Sequence, residues 1–386
     1  MKQVIVIFSL LLSILSNAQQ FLEPDPINSK VLNEERPYLV YLPHSYNDST
    51  YTRPKYPVVI LLDGHYHHWY TLQTMEFLSR NQIIPECILV TIPNTNRTRD
   101  LTPTNSTIGY DGKVNNSYQS SGGGENFMQF ITKELLPKID SMYHTMDLRL
   151  FIGHSFGGLT TMQSFFSNSP SFDAYISMDP STWWDDNLCV KQLDSINNFS
   201  ETKAFFMTGA NNNHLKEDTS SMRKTQIEIN KLLQVKAKNV RSSYRIYDND
   251  NHNSVTFISL YDGLRFIFES YRITMDVNAS KEAFIKHFEQ LSKEWEVEFK
   301  PNEFLINNAG YLLLDEGKQK NALDFFEWNV ALFPNSWNAY DSLADYYYRT
   351  DQKKEALKNY KKSLQLNPKS ENAINRIKEL EGAMLK

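Results

Sequence analysis

The chain has 386 residues, of which 41% are hydrophobic, 13% aromatic and 22% charged, a core-building composition that excludes a disordered chain. Forty basic against forty-five acidic side chains give a net charge of −5 with no long basic run, which excludes an evident nucleic-acid binder. Two cysteines exclude a disulfide scaffold and a Cys-rich zinc module, and the length suits two domains better than one.

Lys2 precedes an apolar run from Val4 to Leu15, followed by Ser16-Asn17-Ala18. A positive start, a short apolar stretch and small residues at the −3 and −1 positions predict a secretory signal, residues 1–18, cleaved after Ala18. The run is too short for the roughly 20 residues of a spanning helix. No Cys follows, so the lipoprotein arrangement is absent. The expected location is periplasmic or secreted, with no membrane span once the signal is removed. Such a protein could pair Cys87 with Cys189 or keep both as buried thiols, and the sequence leaves both readings open.

From about 37 to 275, short β-rich runs alternate with helical spacing. Runs at 38–42, 57–62, 87–92, 148–152, 174–178, 203–208 and 243–247 read as strands, several of them apolar throughout, as expected of strands buried on both faces. This rhythm predicts an α/β fold, with a mostly parallel central sheet and helices on both faces. The stretch 94–124, rich in Asn, Thr, Ser and Gly, reads as a long functional loop. Together with a second loop at 181–200 it is expected to build a substrate pocket.

Leu148 to Ile152 runs into Gly153-His154-Ser155-Phe156-Gly157-Gly158, and helical spacing follows. Strand, Gly-x-Ser-x-Gly and helix together form the nucleophile elbow of serine hydrolases. Ser155 must stand on a sharp turn clear of the sheet, and side chains at 153 and 157 are expected to collide with neighbouring backbone. The Phe156 amide, at the start of the following helix, can stabilise a tetrahedral oxyanion. A second donor is expected from the backbone N–H of His65 or Tyr66, after the strand 57–62. His65, His67 and His68 lack a companion carboxylate at a metal-site offset and read as imidazoles at a pocket mouth. No metal or organic cofactor is implied.

A serine hydroxyl needs a base, which in this architecture follows the last strand in the chain order Ser, acid, His. Of His214, His252 and His287, His252 stands on a loop after the strand 243–247 and is the expected base. His287 falls in a polar helix. The acid is expected on the loop after the strand 203–208, with Asp218 first and Glu217 second. Asp248 and Asp250 are better suited to shaping the His252 loop, and a Ser–His dyad without a carboxylate is also open.

After about 276 nothing reads as strand, and a 34-residue repeat appears. Gly310 aligns with Ala344, Ala322-Leu323 with Ala356-Leu357, Phe326 with Tyr360 and Pro334 with Pro368. Small residues at helix crossings and a closing Pro match the tetratricopeptide pattern, with repeats at about 303–336 and 337–370. Two copies are fewer than independent stability usually needs, so flanking helices near 279–297 and 371–383 are expected to cap them. The predicted domains are therefore 19–275 and a small all-α domain, 276–386, the latter a candidate surface for a protein partner.

With these residues in hand, the region 37–275 resembles the esterase D-type esterases of the α/β-hydrolase superfamily, a group that includes siderophore esterases. Arg36-Pro37-Tyr38, Leu61 to Gly64, Arg97 to Pro103, Gly153 to Gly158 and His252-Asn253-Ser254 carry the resemblance. It implies ester hydrolysis through an acyl-enzyme, with Ser155, His252 and the Phe156 amide in the roles given above. Arg97 and Arg99 are candidates to hold an anionic acyl or catecholate group, or else to pair with Asp100 and fix the loop. Trp183 and Trp184 are candidate pocket aromatics or core. The expected protein is an exported serine esterase acting on a small-molecule ester. The competing readings are a catalytically silent scaffold that binds through its repeats, and a peptidase or acyltransferase using the same Ser–His site.

Overall fold

The computed structural model describes residues 21–196, 199, 202–211, 220–273 and 276–384. The predicted signal segment 1–18 lies outside the described residues, as do His214, Glu217 and Asp218. The chain divides into two compact units. One runs to His44 and resumes from Lys55 to Arg272; the other joins Ser45–Pro54 to Ile273–Lys386.

The first unit is built on an eight-stranded sheet of order β1-β4-β6-β5-β7-β8-β9-β10. Its strands are β1 Phe21–Leu22, β4 Leu39–Tyr41, β5 Tyr56–Leu62, β6 Ile88–Ile92, β7 Thr145–His154, β8 Ala174–Met178, β9 Ala204–Ala210 and β10 Arg241–Tyr247. From β6 to β10 every neighbouring pair is parallel, whereas β1–β4 and β4–β6 are antiparallel. A separate hairpin pairs β2 Ile27–Ser29 with β3 Glu34–Arg36. All seven predicted strands are present. The three short ones at the N-terminus were not read, being two or three residues long.

The apolar runs at β5, β6, β8 and β9 are buried along their whole length, as crossover helices covering both faces require. Helices Gly64–Arg80 and Val255–Ile267 contact each other, and Phe156–Phe166 contacts Trp184–Ser195. By contrast β10, at the sheet edge, is only half-buried. The loop 94–124 contains a helical turn, Arg97–Asp100, and a short 3-10 turn, Asn116–Tyr118. The expected loop at 181–200 is largely the helix Trp184–Ser195, entered through Asp185, Asp186 and Asn187 with φ of 47°, 52° and 59°. Cys87 and Cys189 are both buried free thiols.

In the second unit, helices begin at Glu303, Trp337 and Glu371, and their partners begin at Gln319 and Lys353, each series stepping by 34 residues. A Cβ at Gly310 would sit 2.8 Å from the Phe326 ring, which is why the first helix pair needs glycine at its crossing. Ala344, Ala356, Tyr360, Ala373 and Leu380 form the core of the later turns. Helices Lys281–Trp295 and Glu371–Met384 stand where flanking helices were expected. The segment Ser45–Pro54 packs into this unit through buried Glu303, which accepts from the Thr52 amide at 2.7 Å and from Ser336 Oγ at 2.6 Å.

Candidate active site

Strand β7 ends at His154, and the helix Phe156–Phe166 starts one residue after Ser155. The turn is sharp: Ser155 has φ 59° and ψ −115°, a conformation that L-residues occupy only when their surroundings enforce it. The enforcement is visible on both sides. Ser155 donates its amide to the Met178 carbonyl at 3.1 Å and accepts from the Ser181 amide at 3.1 Å. A Cβ at Gly153 would lie 2.2 Å from the Gly157 carbonyl oxygen, so glycine is obligatory there. At Gly157 the nearest atom is instead the Asp63 carboxylate at 3.2 Å, a tight approach to a side chain and not the backbone collision expected. The Ser155 hydroxyl lies 3.2 Å from Ser181 Oγ.

Because β7 and β8 pair in register, with Gly153 opposite Ser177 and His154 opposite Met178, Ser155 and Asp179 leave adjacent strand ends. Asp179 is fully buried and also has positive φ, 40°. Its Oδ2 lies 2.7 Å from His252 Nδ1, while Oδ1 accepts from Gln226 Nε2 at 3.0 Å and from the Ala210 amide at 3.1 Å. Burial works against its charge, yet the His252 hydrogen bond and charge, with the Gln226 and Ala210 donors, hold the carboxyl below its ordinary value. The carboxylate that meets His252 is thus Asp179, from the strand beside the elbow. Asp218, expected one strand later, lies outside the described residues. Asp248 pairs with Arg223 at 2.9 Å, and Asp250 accepts from Ser254 Oγ at 2.8 Å, both shaping the loop.

A cavity of about 770 Å³ is lined by Ser155, His252, His154, His67, Arg97 and Tyr70, among others. It brings the expected serine and histidine to one space. Phe156 opens the elbow helix, whose first amides have no intrahelical acceptor. His65 is the second residue of the helix Gly64–Arg80, which starts from Asp63 at φ 54°. The Tyr66 amide is engaged by the Asp63 carbonyl at 2.9 Å, which leaves His65 as the better of the two expected second donors.

The two arginines part company. Arg97 lines the cavity, with Nε 2.7 Å and Nη2 3.0 Å from the two oxygens of buried Asp63, and its guanidinium lies over the Phe156 ring. Arg99 is turned away into a network: Nη2 is 2.6 Å from Glu34 and Nε is 2.7 Å from Asp100, which also holds buried Arg36 at 2.7 Å. Of the two readings open for Arg99, these contacts match the loop-fixing pair with Asp100. Trp183 stands in an aromatic group with Phe156, Tyr118 and Tyr110, at centroid distances of 6.0, 6.3 and 6.1 Å, and not among the residues lining the cavity.

Three imidazoles run in a row: His67 to His154 at 5.4 Å and His154 to His252 at 4.5 Å between centroids. Burial pushes His67 down to about 4 and carries His154 well below the usual histidine value, so both are neutral at physiological pH. His67 Nδ1 bonds Tyr70 Oη at 2.7 Å, and His68 Nδ1 donates to the Gly64 carbonyl at 2.8 Å. No group of three or more His, Cys, Asp or Glu able to hold a metal occurs among the described residues. None of their helices is long and apolar enough to cross a membrane.

Sequence reasoning passed over Asp179, Ser181 and the His154–His252 contact. The signal for the acid was present, since Asp179 follows a strand directly and falls between Ser155 and His252 in chain order.

A family model described as "Putative esterase" matches residues 29–265. The siderophore triacetylfusarinine C esterase of Aspergillus fumigatus is 36% identical over 84 residues, 21% of this chain and 28% of that protein, so the match spans under a third of the relative's length. Ferri-bacillibactin esterase BesA of Bacillus subtilis is 25% identical over 252 residues, 61% of this chain and 86% of that protein. Among solved structures, an IroE-like serine hydrolase from Shewanella oneidensis superposes with a TM-score of 0.72 at 30% identity, covering 82% of this chain and 100% of the other.

Proposed function

The chain belongs to the Putative esterase family, and on that premise we propose that it is an exported serine esterase that hydrolyses carboxylic esters through an acyl-enzyme. The observation that carries this reading is one arrangement. Ser155 stands in an enforced positive-φ turn on the same cavity as His252, whose Nδ1 is bonded to the buried Asp179 carboxylate.

In the mechanism, Ser155 Oγ attacks the ester carbonyl carbon as its proton passes to His252 Nε2. Asp179 accepts the Nδ1–H of His252, fixing the tautomer in which Nε2 is unprotonated and can act as base, and it stabilises the imidazolium that forms. The carbonyl oxygen, now an anion, faces the Phe156 and His65 amides. Collapse expels the alcohol, which takes the proton back from His252. Water then repeats the sequence on the acyl-enzyme: His252 removes its proton, the hydroxide adds to the acyl carbon, and Ser155 leaves reprotonated with release of the acid. Arg97, at the cavity and bidentate on Asp63, is placed to orient a substrate oxygen.

Siderophore-type or other acyl esters are the proposed substrates, in keeping with the names of the relatives. The 34-residue helical series is proposed to be a tetratricopeptide array that binds a protein partner, and residues 1–18 to direct export.

The test is labelling by a serine-directed phosphonate, with peptide mapping, beside turnover of siderophore lactones, feruloyl esters and acetyl esters. Labelling at Ser155 and turnover abolished by Ser155→Ala support the reading. A native protein that neither labels nor turns over any ester overturns it.

A further inference from the structure

We propose that His154 is a positioning residue, which sets the backbone of the loop at 252 and through it the aim of the His252 imidazole; this rests on the serine-esterase reading above. His154 Nε2 lies 2.7 Å from the carbonyl oxygen of His252. A carbonyl only accepts, so Nε2 carries the proton and His154 donates. The side chain of His252 is meanwhile bonded through Nδ1 to Asp179 at 2.7 Å. Residue 252 is thus gripped at both ends, its peptide from the end of β7 and its ring from the end of β8. These are the strand ends that also present Ser155 and Asp179.

The grip has little slack. His154 is buried, with its ring 4.5 Å from that of His252 and edge-on to His67 at 5.4 Å. Its own carbonyl lies 3.5 Å from Arg97 Nη2, and His67 is tied to Tyr70 at 2.7 Å. Only a neutral imidazole suits the place. The neighbouring His252 ring, tilted 42° to that of His154, becomes a cation during the reaction, and a second positive ring beside it would oppose that step. A neutral His154 supplies the donor without the charge. The loop itself is short and polar, with Asn251 Oδ1 accepting from the amides of Asn253 and Ser254 at 2.9 and 3.0 Å. Those bonds shape the turn after residue 252, whereas the His154 bond ties residue 252 to the sheet.

The test compares three variants in the full-length protein. His154→Phe keeps a ring and loses the donor, His154→Asn keeps a donor that stops short, and His154→Gln carries an N–H to about the same reach. With p-nitrophenyl butyrate, His154→Phe and His154→Asn are expected to lose about 10–100-fold in kcat with KM within about twofold, and His154→Gln to return within about fivefold of wild type. The second readout is the downfield proton NMR resonance of His252 Nδ1–H, assigned by its loss in Asp179→Asn. It should vanish or broaden in His154→Phe and His154→Asn and persist in His154→Gln. A donor-less variant that keeps both the resonance and kcat within twofold overturns the proposal. So does a His154→Gln as impaired as His154→Phe, which would make the residue a matter of packing. Should the wild type turn over no ester, the enzyme reading falls, while the resonance still judges the role of His154.

Discussion

Asp179 reaches His252 from the end of β8, with Oδ2 2.7 Å from Nδ1, although the two residues lie 73 positions apart in the chain. Because the carboxylate is buried and also holds Gln226 and the Ala210 amide, its orientation is set before any substrate arrives. Asp179→Asn is expected to lower kcat/KM by about 10²–10⁴-fold, because it destroys the acceptor that selects the His252 tautomer. Asp218→Ala and Glu217→Ala should stay within about twofold of wild type. Steady-state kinetics on one p-nitrophenyl ester ranks them, and a collapse confined to Asp218→Ala would return the acid to the later loop.

The elbow glycines are not equivalent. At Gly153 an added methyl meets the Gly157 carbonyl at 2.2 Å, where neither partner can move without unwinding the turn. At Gly157 it meets the Asp63 carboxylate at 3.2 Å, a side-chain contact that asks for a shift of a few tenths of an ångström and no movement of the turn's own backbone. Gly153→Ala should therefore cost about 2–4 kcal/mol and remove Ser155 labelling, while Gly157→Ala costs about 1 kcal/mol and labels more slowly. Urea titration and phosphonate labelling rates measure the two. Equal losses would show that the turn relaxes around either methyl.

Asp173 offers a pH prediction independent of catalysis. Burial raises its carboxyl to about 6, against the backbone donor and charge of Arg149. Its folded value exceeds the unfolded one, so the folded state binds the extra proton. The cost of ionising it is present in full above about pH 6 and disappears as pH falls toward 3.8. Asp173→Asn can still accept from the Arg149 amide, which donates to Asp173 at 2.8 Å. It should raise stability by about 1–3 kcal/mol at pH 7.5, with the gain gone by pH 4. Thermal melts at the two pH values decide, and a gain independent of pH would assign it to packing.

How far the sequence could be read follows physical lines. The parallel strands were legible because a strand covered on both faces must be almost wholly apolar, as Val58 to Leu62 is throughout and Ile88 to Ile92 is apart from buried Thr91. The elbow was legible because three constraints (strand, glycines and helix) coincide within a few residues. Asp179 was legible only by position, after a strand and between Ser155 and His252 in chain order, since nothing in Met-Asp-Pro-Ser itself marks a carboxylate as the partner of a histidine on a distant loop. That relation exists only once β8 and the loop after β10 converge. The place of Ser45–Pro54, which joins the helical unit through the Thr52–Glu303 contact across 251 positions, was not legible. Helix pairs at a 34-residue step were legible because small residues must recur where helices cross.

The two arginines that the sequence presents alike hold different partners. Arg97 reaches both oxygens of Asp63 at the cavity, and Arg99 reaches Glu34 and Asp100 away from it. Lysine preserves the charge at either place but not the two-pronged bond. Arg97→Lys should thus lower kcat/KM by about 10-fold, because the bond that anchors the helix start at Asp63, beside the His65 amide, is loosened. Arg99→Lys should leave kcat and KM within about twofold and show its effect in stability, at about 1–3 kcal/mol. That loss has a pH signature. The Arg99 hydrogen bond, against the opposing effect of burial, holds the Glu34 carboxyl at about 2 in the folded protein, below the 4.5 of a free glutamate. A depressed folded value means the contribution is whole above about pH 4.5 and is lost as pH falls through about 2. The stability gap between wild type and Arg99→Lys should accordingly be widest at neutral pH and close as the solution is acidified below 4.5. Denaturant melts at pH 7, 4 and 3 trace the gap, and one that stays constant with pH would remove Glu34 from the account of what Arg99 does.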